Sequence, residues 1–176
     1  MAITFRQESS SDYEKVSEVI EEAFENVNFS DHREQFLVER LRKSNAFIPE
    51  LSIVAELKSK IVGHILLTKI KIQNEKQTFP SLAMAPVSVI PHHQNQGIGG
   101  KLILAAHEKA KDLGYLSIIV LGHGAYYPRF GYQLTRFFGI ELPFEAPEEN
   151  CLAIELQEGS LKNVNGKVIY PKEFFE

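Results

Sequence analysis

The sequence predicts a mixed α/β fold, and three observations predict it. Two stretches near the N terminus carry apolar residues at helical spacing. Short apolar runs bounded by turn residues follow them. Residues 82–121 then read strand, glycine-rich turn, helix, strand, the order of a right-handed parallel crossover. The 176 residues are 44% hydrophobic and 24% charged, which supplies a sizeable core and excludes a disordered chain. One domain spanning 1–176 is expected.

Ile3 to Arg6 can form an opening strand. The polar run Ser9, Ser10, Ser11, Asp12 announces a helix, with Ser11 and Glu14 at capping-box spacing. Tyr13, Val16, Val19, Ile20, Ala23, Phe24 and Val27 then share one helical face. A second helix is expected from about Asp31, as cap with Glu34 behind it, to Lys43. From Ser52 the period changes. Ile53, Val54, Ala55 and Leu57 end at Lys58, Ser59, Lys60, a short turn, and Ile61 to Leu67 return antiparallel with a half-exposed continuation through Ile70 and Ile72.

Leu82 to Ile90 reads as another strand, which Pro86 either interrupts or bulges because proline cannot donate to a ladder. The helix of the crossover carries Leu102, Ile103, Ala105, Ala106 and Ala110, and Gly114 can close it as a left-handed cap. Leu116 to Leu121 is apolar almost throughout, as in a strand covered on both faces. One or two helical turns are expected over 125–132. The last third reads as strands at Gly139–Leu142 and Cys151–Leu156, with a hairpin around Asn165 and Gly166.

Lys and Arg number 19 against 23 Asp and Glu, a formal charge of -4, which argues against a general electrostatic grip on nucleic acid. The one cysteine, Cys151, excludes an internal disulfide and reads as a buried structural thiol. No signal-peptide pattern or membrane-length apolar run is visible, so a cytoplasmic protein with no membrane partner is expected.

The chemistry concentrates in Gln94, Asn95, Gln96, Gly97, Ile98, Gly99, Gly100, Lys101. Glycines allow a sharp turn and close ligand approach, and a helix starting here aims free amides and its positive end at an anion. A dinucleotide fingerprint fails because Leu102 stands where glycine is required. A P-loop fails at Asn95 and again at Leu102. An ordinary strand-to-helix turn remains the competing reading of the glycines alone.

The wider pattern resembles the GNAT family of acyl-CoA-dependent N-acyltransferases, and its small bacterial YhbS-like branch in particular. Gln94, Gly97 and Gly99 match the family's Gln/Arg-x-x-Gly-x-Gly/Ala register after a strand ending Val87, Ser88, Val89, Ile90, Pro91. Tyr126, Tyr127, Pro128, Arg129, Phe130, Gly131, Tyr132 resembles its second landmark, and Arg6, Asp12, Val54 to Glu56 and Ile61 to His64 resemble its opening. The resemblance runs from about residue 3 to 132. It implies a mixed, mostly antiparallel sheet with a bulged, splayed central strand and flanking helices. It also implies acetyl-CoA as cofactor, with CoA as product. Backbone near Val87, Ser88 and Val89 would pair with pantetheine. Amides from Asn95 through Gln96, Gly97, Ile98 and Gly99 to Gly100 would hold the pyrophosphate, with Gln94 and Lys101 in support.

On this resemblance the acetyl group passes directly to a primary amine of a small molecule or protein. By register Tyr127 corresponds to the tyrosine beside the CoA sulfur and is expected to be both a cofactor contact and the general acid. His64, in mid-strand after Gly63, is the named candidate base. His123, Glu22, Glu25, Glu34, Glu56 or a water chain are alternatives, and His92 and His93 lie beside the loop without partners for a metal. A catalytically silent acyl-CoA-binding sensor or scaffold is the competing class, and a nucleotide-binding domain the third. The acceptor is expected to meet the region from about Phe24 to Asn45 and the C-terminal strands. Monomer and homodimer both remain open, with Phe174 and Phe175 either a contact or a cap on the core.

Overall fold

The computed structural model describes residues 2–176. The described residues form two compact units, one of 2–67 and 86–109, the other of 68–85 and 110–176. The long strands β3 (Lys60–Gln73) and β4 (Thr78–Val89) each give one half to either unit.

In the first unit, β1 (Ile3–Gln7) pairs antiparallel with β2 (Ser52–Leu57), and β2 with the first half of β3. Lys58 and Ser59 both take positive φ, 49° and 64°, the geometry a two-residue hairpin needs. A register shift falls between Ala55 and Glu56 in β2. Helices α1 (Tyr13–Phe24) and α2 (Glu34–Arg42) bury Val16, Val19 and Ile20, and Val38 and Leu41, on the faces their spacing predicts.

Both helices are shorter than expected, and their starts differ. The reciprocal pairing is Ser9 with Asp12, not Ser11 with Glu14. Asp12 Oδ2 accepts from the Ser9 amide at 2.8 Å and its hydroxyl at 3.0 Å, because Arg6 already fixes that carboxylate, and a 3₁₀ turn, Ser10–Asp12, precedes α1. At α2, Asp31 closes a local turn by accepting from the Arg33 amide at 2.9 Å, so the helix begins three residues later.

In the second unit, Asn74 makes the β3–β4 turn. Its Oδ1 accepts from the amides of Lys76 and Gln77, at 2.9 and 3.0 Å, and β4 therefore starts at Thr78 rather than Leu82. β4 runs through Pro86 without a break. Its parallel register with β5 (Ser117–Leu121) covers Leu82 with Ile118 and Ala83 with Ile119, ending ahead of the proline. β5 pairs antiparallel with β8 (Cys151–Glu155), and β8 with β6 (Gln133–Leu134). Helix α3 (Ile98–Asp112) ends at Gly114, whose φ of +87° supplies the left-handed cap.

The expected hairpin at Asn165 and Gly166 does not form. β9 (Gly166–Ile169) pairs with β3, Lys71 opposite Ile169, and lies parallel to β7 (Ile140–Glu141). Gly166 is needed for close approach instead, since a Cβ there would fall on the Gln73 carbonyl. Cys151 is half-buried, with Sγ 3.7 Å from the Pro147 carbonyl and its thiol pushed up in pKa by burial. At the C terminus Phe174 packs against the core of this unit. Phe175 stacks on Phe144 at 5.5 Å but stays 59% exposed.

Candidate active site

The loop between β4 and α3 belongs to the first unit. Gln94 Nε2 donates to the Val89 carbonyl at 2.8 Å, tying the loop to the end of the strand it leaves. Asn95 and Gly97 take left-handed φ of 63° and 83°. A Cβ on Gly97 would meet nothing within 4 Å, so glycine there answers a demand of the backbone and not of space. The first helical bond is Lys101 N to the Gly97 carbonyl at 3.1 Å. The amides of Ile98, Gly99 and Gly100 precede it and have no intrahelical acceptor. Ile98 is buried and anchors the turn. Gln94, Asn95, Gln96, Gly97 and Lys101 are exposed. Three free amides at a positive helix end with a lysine beside them suit a phosphate group.

Along the end of β4, Val87 and Val89 are half-buried while Ser88 is 1% exposed, with an Oγ that finds no partner. The Ser88 hydroxyl is therefore out of reach of solvent. A Cβ on Gly63 would come 3.0 Å from the Ser88 carbonyl and 3.1 Å from Leu102 Cδ1, so the glycine before His64 lets β3 lie close to β4 and α3.

His64 sits wholly inside the first unit, in a polar cluster no local pattern announces. Glu8 Oε1 accepts from Ser52 Oγ at 2.8 Å and Arg42 Nε at 3.2 Å, and its Oε2 from Arg42 Nη2. Ser52 has one proton, spent on Glu8, so the 2.9 Å contact between Ser52 Oγ and His64 Nε2 requires Nε2 to donate. The imidazole is then neutral, and its Nδ1 is buried without a partner. Burial, and secondarily Arg42, push the His64 pKa down to about 3. A second ion cluster joins Arg6 to Asp12 at 2.8 Å and to Glu56 at 2.8 Å, holding the Asp12 carboxyl well below the usual range. This cluster occupies Glu56 as a structural partner.

Tyr127 belongs to the second unit. It opens a 3₁₀ turn, Tyr127–Phe130, that stops at Gly131 with φ of +102°. Gly122 makes room for its ring, and Tyr126 and Tyr132 meet that ring edge-on at 5.2 and 5.7 Å. Tyr132 is the buried member, 2% exposed. Burial, then Tyr126, push the Tyr127 phenol up to about 12, so it keeps its proton at neutral pH. Its hydroxyl has no hydrogen-bond partner among the described residues.

Comparison with known proteins agrees with these landmarks. The family model described as an acetyltransferase (GNAT) domain matches residues 4–135. The uncharacterized N-acetyltransferase YjhQ of Escherichia coli K12 is 36% identical over 148 residues, 84% of this chain and 79% of the relative. The uncharacterized N-acetyltransferase YhbS of the same strain is 24% identical over 147 residues, 84% of this chain and 86% of its own. The crystal structure of E. coli YhbS with CoA superposes with a TM-score of 0.88 at 22% identity, over 99% of this chain and 92% of that one. A GNAT acetyltransferase from Brucella melitensis, crystallised with acetyl-CoA, gives 0.81 at 28%, over 98% of both chains. An exposed glycine turn opening α3, a tyrosine turn after β5 and a family match across three quarters of the sequence converge: the chain belongs to the GNAT acetyltransferase family.

Proposed function

We propose that this protein, acting as one domain over 1–176, transfers the acetyl group of acetyl-CoA directly to a primary amine of a small molecule or protein. The observation that carries this reading is the turn at Asn95 and Gly97 that leaves the amides of Ile98, Gly99 and Gly100 unpaired beside Lys101. Those amides would hold the cofactor's pyrophosphate, with Gln94 keeping the turn and Gln96 at its rim. The backbone of Val87, Ser88 and Val89 would receive the pantetheine amides. Relatives crystallised with CoA and acetyl-CoA support the choice of ligand.

When bound, acetyl-CoA supplies an activated acyl thioester. The amine must lose a proton and the departing sulfur must gain one. Tyr127 keeps its proton through the neutral range and spends its hydroxyl on no protein partner, which suits it to serve the sulfur. His64, wholly buried with Nδ1 out of solvent and a pKa of about 3, does not reach the amine in this reading and is assigned no proton transfer. Solvent then receives the amine proton.

The test is CoA release from acetyl-CoA across a panel of amines and lysine peptides, with Tyr127→Phe beside the wild type. Turnover should fall about 100-fold or more, the usual weight of general acid catalysis, with CoA affinity within a factor of two. Unchanged turnover removes Tyr127 from the chemistry. CoA binding without turnover on any amine overturns the enzyme reading.

A further inference from the structure

Asn165 is the one asparagine of the sequence that precedes a glycine, and the pair stands at the start of β9 instead of in a hairpin turn. The junction lies wholly in the second unit. Asn165 is exposed, while the Gly166 amide donates to the Gly139 carbonyl at 3.0 Å, where β7 begins to pair with β9. Asn74 Nδ2 donates to both oxygens of Asn165, the backbone carbonyl at 2.9 Å and Oδ1 at 3.2 Å. The Oδ1 of Asn74 is occupied by the Lys76 and Gln77 amides, so one side chain ties the β3–β4 turn to the start of β9.

An asparagine before glycine can modify itself, because the following nitrogen has no side chain beside it to crowd the approach. Once hydroxide from solvent removes the Gly166 amide proton, that nitrogen attacks Asn165 Cγ. The new Cγ–N bond closes a five-membered imide, the Cγ–Nδ2 bond breaks, and the leaving nitrogen takes a proton from water and departs as ammonia. A water molecule then opens the ring at either carbonyl, giving aspartate or isoaspartate at 165. In the folded chain both reacting groups are held. The Gly139 carbonyl keeps the nucleophile's proton in a hydrogen bond. Asn74 ties Oδ1 beside the carbonyl oxygen of the same residue, so the side chain is not free to swing onto the Gly166 nitrogen.

We propose that Asn165 is a self-modification site, locked by Asn74 and Gly139 and released when β9 leaves β3 and β7. Release is a local opening, which a short strand can undergo without global unfolding. The change runs one way. Isoaspartate routes the main chain through the former side-chain methylene and lengthens it by one atom just before Gly166. That position has no slack, since even a Cβ there would fall on the Gln73 carbonyl oxygen. Strand β9 then loses its register with β3, Gln73 opposite Lys167 and Lys71 opposite Ile169, and a passing fluctuation becomes a lasting loss of pairing. The site stands apart from acyl transfer, and its chemistry needs only water.

The full chain is incubated in mildly alkaline buffer, native or unfolded in urea, and then cut with trypsin. Cleavage after Lys162 and Lys167 releases residues 163–167, in which Asn163, followed by the branched Val164, is an internal control. Mass spectrometry of that fragment should show Asn165 converting at least tenfold faster in urea than in the native chain, and faster than Asn163. Asn74→Asp keeps an oxygen for the Lys76 and Gln77 amides but removes the Nδ2 donor. It should raise the native rate at least threefold and leave the urea rate unchanged. Returned to native buffer, the converted chain should exchange its amide hydrogens at 167–169 at least tenfold faster than unconverted chain taken through the same urea step. Equal native and urea rates overturn the lock, and a native Asn74→Asp rate equal to wild type overturns the part of Asn74 in it. No conversion in urea, or Asn163 converting as fast as Asn165, overturns the site itself. Undiminished exchange protection after conversion overturns the one-way change.

Discussion

Replacing Arg42 by methionine should be among the most damaging single changes in the first unit. The Arg42 and Glu8 side chains are 9% and 1% exposed, and the guanidinium also lies 4.0 Å over the Tyr13 ring. Arg42→Met keeps the aliphatic stem but leaves the Glu8 carboxylate buried, with only the Ser52 hydroxyl at 2.8 Å to satisfy it and His64 Nε2 3.7 Å from Oε2. Breaking one side of a buried pair costs about 3–5 kcal/mol. At about 2–4 °C per kcal/mol for a chain of this size, the melting temperature should fall by roughly 6–20 °C. Glu8→Gln/Arg42→Met removes both charges and should cost less than Arg42→Met alone. The single variant should also recover part of its loss on acidification, since Arg42 is one of the two causes holding the His64 pKa down, and the uncompensated buried Glu8 charge would then favour a proton on His64. Scanning calorimetry of both variants between pH 5.5 and 8 measures these effects. A loss under about 1 kcal/mol, or a double variant as damaged as the single, would refute a buried pair whose halves depend on each other.

Three further outcomes are expected. Gly97→Ala has space but the wrong φ, so it should lose only about 1–2 kcal/mol while weakening CoA binding, read by melting with and without CoA. Gly166→Ala combines a φ of +136° with a Cβ driven onto the Gln73 carbonyl, and should lose about 2–5 kcal/mol in the same melts. Acid should destabilise the wild type. The unfolded chain protonates His64 near 6.5 and the folded chain near 3, so this contribution is whole above pH 6.5 and is lost as pH falls toward 3. Its slope is at most about 1.4 kcal/mol per pH unit, and urea midpoints for His64→Gln against wild type should show that slope reduced.

Local rules carried the sequence a long way where neighbours in the chain are also neighbours in space. The apolar faces of α1 and α2, the Lys58–Ser59 turn, the β4–α3–β5 crossover, the left-handed cap at Gly114 and the glycine turn at 94–101 all rest on residues a few positions apart, and each is where the pattern puts it. The resemblance that named the family rests on the same short-range spacings. Helix starts were misread by a few residues, because Ser9, Asp12, Asp31 and Ser30 each have a choice of polar partners that only Arg6 and the adjoining turns decide.

Pairings between distant residues needed the tertiary structure. Asn165–Gly166 has the composition of a hairpin, yet β9 goes to β3 and β7, because strand partners are chosen by the surface left to cover and not by the turn that precedes them. His64 looked like an isolated strand histidine. Folding brings to it Glu8, Arg42 and Ser52 from three distant stretches of the chain; the Ser52 contact sets its tautomer and burial lowers its pKa. The sequence alone determined the apolar helix faces, the Lys58–Ser59 turn and the glycine turn that opens α3, since backbone conformation and helix ends are local. The tertiary structure decided which charges are neutralised, which amides stay open and which groups can titrate, since desolvation and Coulomb energy depend on every chain segment within reach.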